Sequence, residues 1–136
     1  MKTFKLRIVA PERERFNGEA VSLLLRGSEG DFQILAGHQD MFAAVGIGRC
    51  KVVLQNGEEM IGSVNGGFIS VTREEVILAV TTLEYSDEID VRRARAAKEK
   101  AERMLESAKD EKEHAKAKAR LMRALSRLSA AEDKRK

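Results

Sequence analysis

Three arginines and one aspartate in the last third of the chain hold the most chemical promise. Asp90 and Arg93 stand three apart, and Arg123 and Arg127 stand four apart. If both stretches are helical, each pair lies on one helix face. If the two helices pack antiparallel with a turn near residue 109, Arg93 falls opposite residue 125 and Asp90 opposite Leu128. Arg123 and Arg127 then approach Arg93 and Asp90. Three guanidinium groups around one groove repel each other, and a single carboxylate offsets only part of that. An anion would relieve the rest, and the guanidinium fork suits phosphate oxygens. The competing reading is that all three arginines splay into water. A second place of interest is Gly27-Ser28-Glu29-Gly30-Asp31-Phe32-Gln33-Ile34-Leu35-Ala36-Gly37-His38, which reads as a hairpin with the acidic tip Glu29-Gly30-Asp31 and a glycine turn before His38. An exposed acidic tip can serve as a docking edge.

Signs of enzymatic chemistry are few. His38 and His114 are the only histidines, and neither they nor Cys50 have the spacing of a metal site. No phosphate-binding glycine loop, dinucleotide fingerprint or nucleophile elbow occurs. Cys50 sits on the apolar side of an alternating run and reads as a small core residue. A lone cysteine forms no internal disulfide, which suits a reducing compartment.

The elements that must position these residues fall into two halves. Residues 1–86 carry nine basic and eleven acidic residues, a net of −2, and residues 87–136 carry sixteen and eleven, a net of +5. All ten glycines precede residue 68, and the only proline is Pro11. Turns therefore concentrate in the first half, and the Ala-, Lys-, Arg- and Glu-rich second half is helical by composition. Of the 136 residues, 35% are charged, more than a compact domain usually carries, so part of the chain is expected to be elongated. No stretch approaches the ~18 apolar residues of a membrane-spanning helix, and the alternating N-terminus lacks the apolar run of a signal peptide. A soluble protein facing the cytosol is expected, linked to a membrane only through a partner.

Period-two alternation marks Phe4–Ala10, Val21–Leu25, Cys50–Leu54 and Met60–Val64, with further strands at Phe68–Thr72 and Val76–Thr82. Asn56-Gly57, Asn65-Gly66-Gly67 and Arg73-Glu74-Glu75 read as turns. Seven to ten short antiparallel strands at this spacing predict a sandwich or barrel. After Ser86 two helices are expected. Ser86 or Asp87 would cap the first, whose apolar side carries Ile89, Ala97, Ala101, Met104 and Leu105. Asp110 would cap the second, with Leu121, Leu125 and Leu128 at helical spacing beside Met122. Such thin, Ala-rich stripes bury little area, so the hairpin is marginal without the sandwich or a partner.

Several segments together resemble the epsilon subunit of bacterial F-type ATP synthases. They are Leu6-Arg7-Ile8-Val9-Ala10-Pro11, the Gly27–His38 hairpin, Ser63-Val64-Asn65-Gly66-Gly67-Phe68, Ile89-Asp90-Val91-Arg92-Arg93-Ala94, and Arg123 to Glu132. The resemblance implies an N-terminal antiparallel β-sandwich (1–86) and a C-terminal antiparallel two-helix hairpin (87–136). It implies a non-catalytic subunit of the central stalk, peripheral on the cytoplasmic face of the cell membrane. The sandwich would bind the gamma subunit and rest on the c-ring, with Glu29, Gly30, Asp31 and His38 in the docking region. The helices would restrain ATP hydrolysis by extending toward the alpha/beta hexamer. No cofactor is required, but regulatory ATP could bind the folded hairpin. Ile89 and Asp90 would then lie at the adenine end and Arg93, Arg123 and Arg127 by the phosphates, with Ala94 and Lys100 also in the nucleotide site. Where some members have arginine, Lys100 lacks the bidentate fork. Gln33, Ala36 and Asp40 replace the glycine and prolines usual around the first turn. A different class, a β-domain and coiled-coil adaptor on an anionic partner such as nucleic acid, would show salt-sensitive binding. The absence of aromatic residues after Tyr85 argues against it.

Overall fold

The computed structural model describes residues 2–134, so the last two positions of the expected helical segment lie outside the described residues. Eight strands come first: β1 Phe4–Val9, β2 Glu14–Ala20, β3 Ser22–Gly27, β4 Gly30–Leu35, β5 Met41–Val53, β6 Glu59–Val71, β7 Val76–Val80 and β8 Leu83–Tyr85. A single 3₁₀ turn, Ser86–Glu88, leads to α1 Val91–Ser107 and α2 Glu111–Lys134.

The sandwich is made by two long strands that bend. β5 and β6, each 13 residues, pair along their length except beside Gly46 and Gly66, where the ladder is interrupted. On one side of the bend lies the order β2-β1-β7-β6-β5, and on the other β5 and β6 pair with β3 and β8, with β4 outside β3. The expected turn at Asn65-Gly66-Gly67 is therefore the corner of one continuous strand. Gly66 and Gly67 take φ of 80° and 153° there, and a Cβ on Gly67 would meet the Ala79 carbonyl oxygen at 2.0 Å. Only glycine fits that approach.

Pairing is antiparallel except for β1 with β7, which run parallel because the chain crosses the whole sandwich between them. At Asn56-Gly57 only Gly57 adopts positive φ; Asn56 instead accepts the Glu58 N–H on its side chain. Inward residues such as Leu6, Ile8, Leu23, Leu25, Ile69 and Leu78 form one core whose buried members all lie between residues 6 and 83. Cys50 is part of it, and burial pushes its thiol up to about 12, so it stays protonated and inert.

α2 lies across β5 and β6 on one outer face of the sandwich, and α1 packs on α2. Small residues make these contacts: Ala94 and Ala101 on α1, and Ala117, Ala124, Ser126, Ala130 and Ala131 on α2 are buried. The expected leucine stripe is not the buried face. Leu125 and Met122 are exposed, Leu121 and Leu128 only half-buried, and Ala97 is exposed as well. The alanine face wins because it lets α2 approach both the sheet and α1 closely at once.

Candidate functional site: the groove between the helices

The helix starts are set by side chains that have other work. Ser86 does not cap α1; its Oγ donates toward the backbone oxygens of Ile61 at 2.9 Å and Ala130 at 2.8 Å, binding the linker to both β6 and α2. Glu88 folds back onto the Tyr85 N–H at 2.8 Å and pairs with Arg15 and Arg13. Arg15, its side chain nearly buried, also lies 5.1 Å over the Tyr85 ring, and the Tyr85 hydroxyl donates to the Arg15 carbonyl. Partial burial alone would raise the Glu88 carboxyl. The Tyr85 N–H and the two arginines override it and hold the group below the usual carboxylate range. Burial pushes the Tyr85 phenol up to about 12. With 86–88 fixed this way, Asp90 becomes the cap of α1, accepting the Arg93 N–H at 3.1 Å. Asp110 caps α2 as expected, accepting the Glu113 N–H at 2.8 Å.

Two adjoining cavities run along the seam between the helices. The first, about 230 Å³, is lined by Glu84, Glu88, Asp90, Arg93, Ala94 and Arg127. The second, about 280 Å³, has Lys100, Arg120, Arg123 and Arg127 over a floor that includes Ala101 and Met104. Arg127 lines both.

The structure thus brings Asp90, Arg93, Ala94 and Arg127 together, and joins Lys100 and Arg123 to them through Arg127. It sets Ile89 apart. Ile89 is buried with Ala130 and Ala131 against Ile61 and lines neither cavity. The carboxylate nearest Arg127 is Glu84 on β8, with Arg127 Nε donating to its Oε1 at 2.5 Å. Sequence reasoning missed Glu84 because the contact joins the sandwich to the hairpin across 43 positions. It missed Arg120 too, although Arg120, Arg123 and Arg127 recur at helical spacing.

Glu29, Gly30 and Asp31 form the β3–β4 hairpin tip, with both carboxylates exposed and Asp31 near Arg26. Exposed His38 lies past the other end of β4, about 20 Å of strand away, so these residues mark two ends of the sandwich. Among the described residues no three His, Cys, Asp or Glu side chains gather to hold a metal, and no helix is long and apolar enough to cross a membrane.

A β-sandwich followed by a long helical hairpin is the class of protein that comparison with known sequences returns. Residues 3–86 match the ATP synthase delta/epsilon chain beta-sandwich domain, and residues 87–132 match the delta/epsilon chain long alpha-helix domain. The ATP synthase epsilon chain of Ruminiclostridium cellulolyticum is 36% identical over 135 residues, covering 99% of this chain and 100% of that one. That of Clostridium novyi is 39% identical over 127 residues, covering 93% and 96%. This chain belongs to the ATP synthase epsilon chain family. The fold recurs in a chain of the Euglena gracilis mitochondrial ATP synthase, with a TM-score of 0.84 at 22% identity over 95% of this chain and 81% of that one.

Proposed function

We propose that this chain is a non-catalytic central-stalk subunit of an F-type ATP synthase, in which the sandwich joins gamma to the c-ring and the helical hairpin restrains ATP hydrolysis. The observation that carries this reading is the asymmetry of the sandwich. One outer face is covered by α2 through alanines and a handful of hydrogen bonds. The other is bare and bears Phe42 and Phe68, 73% and 53% exposed, stacked with ring centroids 5.6 Å apart. A stacked apolar pair left in water marks a docking face. We assign that face to the stalk.

The covered face is held by small side chains and separable polar ties. Among these are the Ser63–Ser126 hydroxyl pair, the Ser86–Ala130 bond and the Glu84–Arg127 pair. A hairpin so attached detaches and extends toward the alpha/beta hexamer, carrying its basic residues with it. ATP in the interhelical groove opposes this as a regulatory ligand, because binding only the folded form stabilises it by about 2.7 kcal/mol at a hundred times Kd. The subunit sits on the cytoplasmic face of the membrane and touches it only through the complex.

The docking half is tested by replacing both aromatics, Phe42→Ser with Phe68→Ser. The variant should lose retention on an F-type ATPase core stripped of this subunit and still bind ATP. Retention at the level of the unaltered chain would place the stalk elsewhere.

A further inference from the structure

We propose that Arg120 is the distal cation of the groove and sets the length of phosphate chain that it accepts. The proposal rests on the reading of the groove as an ATP site and goes beyond it by naming what discriminates a triphosphate from a diphosphate.

The two cavities differ in charge. The one near the sandwich holds three carboxylates, Glu84, Glu88 and Asp90, against Arg93 and Arg127. The one toward the hairpin turn is lined by four cations and no carboxylate. An elongated ligand with a hydrogen-bond-donating head and an anionic tail therefore has one favourable direction. Its head lies by the carboxylates and its tail runs along the arginines.

Along that tail the cations come in order. Arg127 is shared by both cavities, Arg123 stands one turn further, and Arg120 nearly one turn beyond that. At 1.5 Å per residue, Arg120 lies about 10 Å along the axis from Arg127. Each added phosphate moves the end of the chain toward Arg120.

Arg120 is also available. It is half-buried, and its Nη1 reaches across the groove to 3.7 Å from Met104 Sδ on α1. Among the described residues no carboxylate pairs with it. Arg127, by contrast, is tied to Glu84. Lys100 offers a point charge without a fork. Arg120 supplies the planar pair of donors that Lys100 lacks, at the far end where a terminal phosphate would arrive.

The test is calorimetric titration of the full chain with ATP, ADP and inorganic triphosphate. The variants are Arg120→Met, which keeps the stem over Met104, Arg120→Lys, which keeps the charge without the fork, and Arg127→Met as a reference. The proposal predicts that Arg120→Met weakens ATP and triphosphate by about tenfold or more and ADP by less than about twofold, with Arg120→Lys between. Equal weakening of ATP and ADP, or no weakening in a variant with unchanged thermal unfolding, overturns it. If Arg127→Met weakens ATP while Arg120→Met does not, the assignment of Arg120 falls and the ATP site stands. If the unaltered chain binds none of the three ligands, the ATP reading falls and takes this proposal with it.

Discussion

Arg127 Nε donates to Glu84 Oε1 at 2.5 Å, and this pair ties the last turns of α2 to β8 while Arg127 also lines both cavities of the groove. In the proposed ATP site one guanidinium would therefore serve two tasks, attachment and anion contact. Both partners are about a third exposed, so the attachment contributes at most about 1 kcal/mol. Contact with a phosphate chain contributes more. Arg127→Met is expected to lower unfolding stability by less than about 1 kcal/mol in urea and to weaken ATP at least about tenfold. Unchanged ATP binding with a large stability loss would assign Arg127 to attachment alone.

The Ser63 and Ser126 hydroxyls meet at 2.7 Å, both residues buried, where α2 crosses β6. Removing one leaves the other unpaired in a dry contact, which costs about 1–3 kcal/mol. Removing both avoids that penalty. Ser63→Ala and Ser126→Ala should each destabilise hairpin attachment, measured as faster hydrogen exchange in α2, and the double variant should lose less than the sum of the two. Additive losses would mean that the hydroxyls do not interact.

Gly67→Ala should be severe. Its Cβ would sit 2.0 Å from a backbone oxygen of β7, at a φ that disfavours any side chain, and β7 cannot retreat without breaking its ladder with β6. A loss of at least about 3 kcal/mol, or failure to fold, is expected. A variant that melts like the parent would show that the corner is not closed in this way.

The Glu88 clamp carries a pH signature. Its carboxyl is held below the ordinary value of 4.5, so the contribution to stability is full above that value and disappears as pH falls through the depressed value in the folded chain. Glu88→Gln should therefore be less stable than the parent at neutral pH, with the gap closing in acid. A gap that persists once the carboxyl is protonated would mean that charge is not what holds the linker.

How far the sequence could be read depended on the range of each contact. Period-two runs such as Phe4-Lys5-Leu6-Arg7-Ile8 showed the strands, and the glycine-free tail showed both helices, because these signals are local. The parallel pairing of β1 with β7 was hidden because it joins residues about 70 positions apart. The start of α1 was misplaced at Ser86 or Asp87 because the Ser86 hydroxyl is taken by the backbone oxygens of Ile61 and Ala130, each far off along the chain, which leaves Asp90 as the cap. The leucine stripe on α2 misled for a related reason. Periodicity finds the apolar face, but the need to touch sheet and helix at close range selected the alanine face. In the groove, Asp90, Arg93, Arg123 and Arg127 were legible from antiparallel geometry. Glu84 was not, since it comes from the other half of the molecule, and Ile89 turned toward the sandwich because Ala130, Ala131 and Ile61 offer it a dry contact.

The most direct test of the account is ATP hydrolysis by an F-type ATPase core lacking this subunit, with either the full chain or residues 1–88 added back. The shorter piece retains every buried member of the sandwich core and the Glu88 clamp. The account predicts that both bind the core and that only the full chain lowers hydrolysis. Equal inhibition by the two, or binding of both with no inhibition by either, would contradict a brake built from the hairpin.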